Sequence, residues 1–387
     1  MYDLLISGGT VVDPAQGLNH PRDVAIAGGR VRAVAERIDP AQAEHVLDAS
    51  GLLVTPGLVD VHVHVYDGVS HYGIDADTYV LPSGVTTAID AGSAGADTFE
   101  GLRRYVIEVS ETRLKACLNI SATGMVSPVV GELEDIRLID PKKAIEVCER
   151  HRDVIVGVKA RLSENLAGNN ALPALHRARE AADAVGLPIM IHPNAPVCTL
   201  DDILREMKAG DLLTHCYHGL DEGILDDDGR VRAPVRDAVN RGVHLDVGHG
   251  QGSFSWSVAE SAMAQDLVPS TISSDLHAYN FDGPVFDLAT TLSKFLHLGL
   301  DLPDALRRCT VTPAEILGMQ GQIGTLAVGA HADAALFREE IGAHSFEDAH
   351  GQTRIGERRL VPVKVVKGGK VIDAIARGWH GDHHHHH

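Results

Sequence analysis

The sequence predicts an α/β fold: a (β/α)8 TIM barrel with a small flanking β-sandwich domain built from both chain termini. Two observations predict the barrel. Short runs rich in Val, Ile and Leu alternate with helix-spaced segments through the middle of the chain, and these runs often end in a polar residue. Continuous apolar runs suit parallel strands buried on both faces. A third observation predicts the flanking domain, because both ends of the chain consist of short β segments separated by glycine pairs.

The strand candidates are Leu58–His64, Thr86–Asp90, Lys115–Ser121, Ile155–Ala160, Pro188–His192, Leu212–Cys216, His244–Val247 and Thr271–Asp275. Eight strand–helix units fit a closed barrel. The rival, an open doubly wound sheet, would bring a glycine-rich phosphate loop after its first strand, where this chain has histidines. Between the strands, Leu102, Tyr105, Val106 and Val109 fall at i, i+3, i+4, i+7 spacing, which predicts one helical face. Leu172, Leu175, Ala178, Ala182 and Val185 predict another, ended by Gly186.

At the N-terminus, Gly8-Gly9 and Gly28-Gly29 separate apolar runs, and Gly368-Gly369 does so near the C-terminus; each pair is read as a hairpin. The expected division is 1–54 and 322–378 for the β domain and 55–321 for the barrel. The run His383–His387 has the form of an expression tag and is set aside.

A chain of 387 residues can bury one large core and a smaller one. Its net charge of −19, with no basic cluster, excludes nucleic acid and anionic membranes as partners. No run approaches the ~20 apolar residues of a membrane span. The start carries no basic segment of the kind that begins a signal peptide, so the cytoplasm is the expected compartment. Five cysteines without paired spacing read as buried thiols. The expected partner is a small-molecule substrate, and a homo-oligomer is left open.

The chemistry begins at Asp60-Val61-His62-Val63-His64. Alternate residues of a strand face the same way, so His62 and His64 project together at the end of a barrel strand where active sites are built. Two co-directed imidazoles suit a metal. His192 and His215 close two further strand candidates and Asp275 a third, which gathers four imidazoles and a carboxylate at one mouth. Lys159 ends an apolar strand aimed the same way; a buried ammonium must be paired, neutralised or modified. Beside two cations its neutral amine could take up carbon dioxide as a bridging carbamate, whereas alone it would pair with a carboxylate.

The segment Pro56-Gly57-Leu58-Val59-Asp60-Val61-His62-Val63-His64 resembles the first-strand signature of the amidohydrolase superfamily, and Leu5–Asp13 resembles that superfamily's flanking sheet. Lys159, His192, His215 and Asp275 match the ligand order of its two-metal members, among them dihydroorotase, hydantoinase and isoaspartyl dipeptidase. The resemblance implies two divalent ions, zinc being the first expectation. His62, His64 and Asp275 would hold the more buried ion, and His192 and His215 the other. Carboxylated Lys159 and a hydroxide would bridge them, and Asp275 would shuttle the proton.

Two departures narrow the subfamily. Dihydroorotase carries an arginine two residues beyond its His-X-His pair, where this chain has Tyr66. Deaminases use a glutamate soon after the fifth-strand histidine, where this chain reads His192-Pro193-Asn194-Ala195. Val158–Arg161 and Asp246–Phe254 look closest to a deacetylase-like branch, which implies cleavage of an amide or ester in a small acylated amino or α-hydroxy acid. Arg161, two residues beyond Lys159, is the candidate reader of a substrate carboxylate, with a structural ion pair to a neighbour such as Glu164 as its alternative. His249 is a candidate pocket residue. Gly248–Gly252 is read either as a nest of amides for an anion or as a tight loop. His71, His218 and His277 are placed near the mouth in surface or supporting roles. A cyclic amidase, and more remotely a non-catalytic scaffold of the same fold, are the competing readings.

Overall fold

The computed structural model describes residues 1–194 and 197–377. The presumed tag and residue 378 of the expected β domain lie outside the described residues.

Five strands open the chain: β1 (Tyr2–Asp13), β2 (Leu18–Ala27), β3 (Arg30–Ala35), β4 (Ala43–Asp48) and β5 (Leu53–Pro56). Seven follow in the central part: β6 (Leu58–Val63), β7 (Val85–Ala91), β8 (Arg113–Asn119), β9 (Ile155–Arg161), β10 (Ile189–His192), β11 (Leu212–Leu213) and β12 (His244–Leu245). Three close it: β13 (Ala334–Glu347), β14 (Thr353–Lys367) and β15 (Lys370–Asp373).

Strands β6 to β12 form a seven-stranded sheet in sequence order, each paired parallel with the next. The expected eighth strand appears as isolated bridges. Asp246 pairs with Thr271 beyond β12, and Val63 pairs with Leu276 beside β6, both parallel. The segment 271–276 therefore touches both edges of the sheet, with Asp275 N–H donating to the His62 carbonyl at 2.7 Å. The largest buried core lies between these strands and their covering helices.

The chain ends pair as expected, into one eight-stranded sheet in the order β15-β14-β13-β5-β1-β2-β3, with β4 also on β1. The expected sandwich is met only as far as this single sheet. Its link to the central part is short: β5 pairs with β1 and β13, then passes through Gly57 alone into β6. A Cβ at Gly57 would sit 1.9 Å from Thr86 Oγ1, so only glycine fits that junction.

Three local expectations fared differently. Gly28-Gly29 and Gly368-Gly369 are two-residue hairpin loops with positive φ at both positions. Gly8-Gly9 instead lies within β1, where the register with β2 shifts, because β1 is held on both sides and cannot fold back. The stripe Leu102–Val109 fails as a single α-helical face. A π turn at Arg103–Ile107 breaks the 3.6-residue period, leaving Tyr105 and Val109 exposed while Leu102 is buried. The helix Ala171–Val185 keeps its stripe, and Gly186 ends it at φ 70°. All five cysteines are buried free thiols. Among the described residues no helix is long and apolar enough to cross a membrane.

Candidate metal centre

Strand alternation carries His62 to the inner end of β6, and His64 follows just beyond; both are buried. Nε2 of each lies 3.1 Å from Asp275 Oδ1. His215 Nε2 is 4.0 Å from Asp275 Oδ2. His62, His215 and Asp275 form a group whose ligand atoms lie within 4.8 Å of one another. His192, at the end of β10, sets its ring edge-on to His215 with centroids 4.5 Å apart.

The outer nitrogens explain how these rings are aimed. Thr214 Oγ1 donates to Asp246 Oδ2 at 2.8 Å, so its hydroxyl proton is spent. His62 Nδ1, 2.9 Å from Thr214 Oγ1, must therefore donate to it, which leaves Nε2 with a lone pair directed inward. His215 Nδ1 donates to the Gly248 carbonyl at 2.6 Å with the same result. His64 Nδ1 meets Ser93 Oγ at 2.9 Å. Asp275 Oδ1 is buried without a hydrogen-bond partner although two imidazole nitrogens stand close to it. The His62 lone pair facing a carboxylate oxygen is repelled by it unless a cation lies between them. The donor set fits a divalent metal, and the supporting hydroxyls and carbonyl are what fix metal-binding histidines in one tautomer.

His215 and Asp275 have φ of 58° and 52°, the left-handed region that non-glycine residues rarely adopt. Such backbone costs of order 1–3 kcal/mol and is retained where the surroundings impose it, commonly at functional sites.

Lys159 is completely buried, its stem passing over Gly92, where a Cβ would come within 2.5 Å of Lys159 Cγ. Its Nζ donates to the Ala91 carbonyl at 2.9 Å. Burial pulls the amine down to about 8, against the opposing pull of Asp275. Burial likewise lowers His215 to about 3 and His192 well below the ordinary imidazole value, keeping both neutral as ligands must be.

His62, His64, His192, His215 and Asp275 line a cavity of about 390 Å³ that also receives Tyr72, Arg161, Asn194, Gln251 and His277, while Lys159 is not in its lining. Arg161 reaches it as expected, but its ion-pair partner is Glu132, not Glu164. Tyr72 lies beneath the guanidinium, 5.2 Å from ring centroid to Cζ. His249 does not line the cavity. It is fully buried, with Nε2 against Lys294 Nζ at 2.7 Å, so the expected substrate contact is replaced by a contact behind the site. The amides of Gly248, His249 and Gly250 are spent on Ser273 and Ser274, so these three are not open to an anion. His277 lines the cavity, while His71 bonds Tyr279 and His218 lies outside the lining.

Sequence reading missed Glu132, Tyr72, Thr214 and Ser93. The first two come from irregular loops with no periodic signal, and the last two are hydroxyls without a motif.

The amidohydrolase family model matches residues 53–372. The chain belongs to the amidohydrolase family. This amidohydrolase is 33% identical to a deacetylase of Enterococcus faecalis over 96% of its own length and 99% of that protein's. A solved structure described as an adenine deaminase superposes on it with TM-score 0.89 at 33% identity, covering 96% of this chain and 100% of that one. A structure described as a dihydroorotase gives TM-score 0.89 at 32% identity, covering 97% and 99%. The amidohydrolase fold is thus of TIM-barrel type, and the enzyme is a hydrolase acting on C–N bonds.

Proposed function

We propose that this amidohydrolase uses two divalent ions, zinc as first choice, to cleave an amide or ester bond in a small acylated amino or α-hydroxy acid, as a deacetylase. One observation carries the metal reading: Asp275 Oδ1 stands 3.1 Å from Nε2 of both His62 and His64 and hydrogen-bonds to neither. The similarity to the Enterococcus deacetylase along nearly the whole chain supports the substrate class.

In this reading His62, His64 and Asp275 would hold one ion and His192 and His215 the other, with carboxylated Lys159 as a further ligand. Bound divalent ions supply Lewis acidity, making water more acidic and polarising a carbonyl. Asp275 accepts the proton of the attacking water and passes it to the leaving amine or alkoxide. Arg161 gives Nε and one terminal nitrogen to Glu132 and keeps its remaining edge for a substrate carboxylate. We read strands β6 to β12 with segment 271–276 as a closed (β/α)8 barrel spanning 55–321. The terminal strands would form a separate small β domain, and the enzyme would work in the cytoplasm on a small-molecule substrate.

A cyclic amidase is the second reading, favoured by the solved dihydroorotase. Against it, Tyr66 occupies the place of the expected arginine and spends its hydroxyl on the Thr98 carbonyl at 2.7 Å.

Elemental analysis after gentle purification, with a hydrolysis screen over N-acyl amino acids, O-acyl hydroxy acids and cyclic amides, tests both readings. Close to two ions per chain and turnover of an acylated acid are expected. Metal near zero, with no metal-stimulated hydrolysis, overturns the proposal.

A further inference from the structure

Lys294 sits on the inner side of the helix Leu288–His297 and is completely buried, outside the cavity. Its Nζ meets three acceptors: His249 Nε2 at 2.7 Å, the Glu347 carbonyl at 2.6 Å and the Pro284 carbonyl at 3.1 Å. When Nζ is protonated, that is one acceptor for each of its N–H groups. His249 Nδ1 faces the Gly250 carbonyl at 2.9 Å and must donate to it, so Nε2 is the lone-pair side that Lys294 takes. The imidazole is stacked on Phe254 at 4.7 Å between centroids, which fixes its plane.

The loop carrying His249 is pressed against the candidate ligands. A Cβ at Gly250 would lie 2.6 Å from Asp275 Oδ2, and one at Gly248 would lie 3.0 Å from His215 Nδ1 and 3.1 Å from His62 Nδ1. The Gly248 carbonyl sets the His215 tautomer. With no slack on the front of the loop, its position depends on what holds the back. A buried amine in place of an equally long apolar side chain carries a desolvation cost, so its retention fits a role in fixing geometry.

We infer that Lys294 and His249 are a positioning pair. They tie the Gly248–Gly252 loop to the helix Leu288–His297 and to the end of β13, and through that loop they orient His215 and Asp275. The geometric part stands on contacts alone, and only its catalytic consequence rests on the hydrolase reading above.

The test uses full-length Lys294→Met, Lys294→Arg and His249→Gln. In metal-free protein labelled with ¹⁵N-histidine, the His215 Nδ1 proton bonded to Gly248 should give a downfield NMR resonance. Lys294→Met should shift or broaden it, and Lys294→Arg should restore it in part. In metal-loaded enzyme kcat should fall by about 10–100-fold, the usual effect of losing a group that supports a ligand, while KM stays within about threefold. If Lys294→Met does not fold, His249→Gln decides by the same two readouts. An unchanged His215 resonance together with unchanged kcat overturns the inference. If the wild type hydrolyses no acylated acid, the functional reading fails, and the His215 resonance alone still decides whether the pair positions the loop.

Discussion

The Arg161 guanidinium, at the wall of the cavity, and the Glu132 carboxylate meet at 2.5 Å with both side chains buried. Removing either partner leaves the other as an uncompensated buried charge, a loss of about 3–5 kcal/mol in comparable pairs. Glu132 also receives the Asn119 amide, which ties the pair to β8.

Arg161→Met should weaken acidic substrates by about 2–5 kcal/mol in kcat/KM and barely affect a neutral ester of the same acyl group. The double variant Arg161→Met/Glu132→Gln should recover thermal stability without recovering the acidic substrates. Parallel kinetics on the two substrates, with thermal melts, check both statements. Equal losses on charged and neutral substrates would make Arg161 purely structural.

Lys159→Ala should lose most bound metal and most activity, and added short carboxylic acids should restore part of both by supplying the missing bridge. Metal content and turnover, measured with and without acetate or propionate, decide this. Full metal and turnover in the variant would remove Lys159 from the centre.

Asp275→Asn should keep much of its metal while turnover falls by a factor of about 10²–10⁴, the usual contribution of general acid–base catalysis. Near-normal turnover would place the proton shuttle on another group.

Stability should depend on pH through Lys294. Burial lowers it to about 7 from 10.5, with Asp348, Glu347 and Asp287 pulling upward and Arg359 downward. Between those values the unfolded chain binds the proton and the folded chain does not, so this lysine's contribution to stability rises with pH across that window. The melting temperature of the wild type relative to Lys294→Met should therefore be higher at pH 9 than at pH 7. A difference that stays flat or falls would contradict the assignment.

The parts of the centre legible in the sequence were those governed by a period. Alternation along β6 places His62 and His64 together, and apolar runs ending in His192, His215 and Asp275 mark the other strand ends. Arg161 follows from the same rule two residues past Lys159. What alternation cannot supply is a partner from a loop. Glu132 and Tyr72 arrive by tertiary packing, and so does the contact that turns His249 toward Lys294. The π turn at Arg103–Ile107 shows the converse, an apolar spacing that looks helical while the backbone takes a wider coil.

The junction at Gly57 bears on how the protein is made. Strand β5 is synthesised well before its neighbour β13, which follows 280 residues later, where Thr55 meets Ala335. Until then β5 lacks its partner on that side, and β6, one residue further on, is held at its outer end by β5's pairing with β1 and by its own pairing with β7. A nascent chain stalled before residue 334 would present that bare edge to its neighbours, the kind of surface that recruits chaperones or aggregates. A strand translated long after β6 thus completes the pairing of β5, the strand that leads through Gly57 to His62.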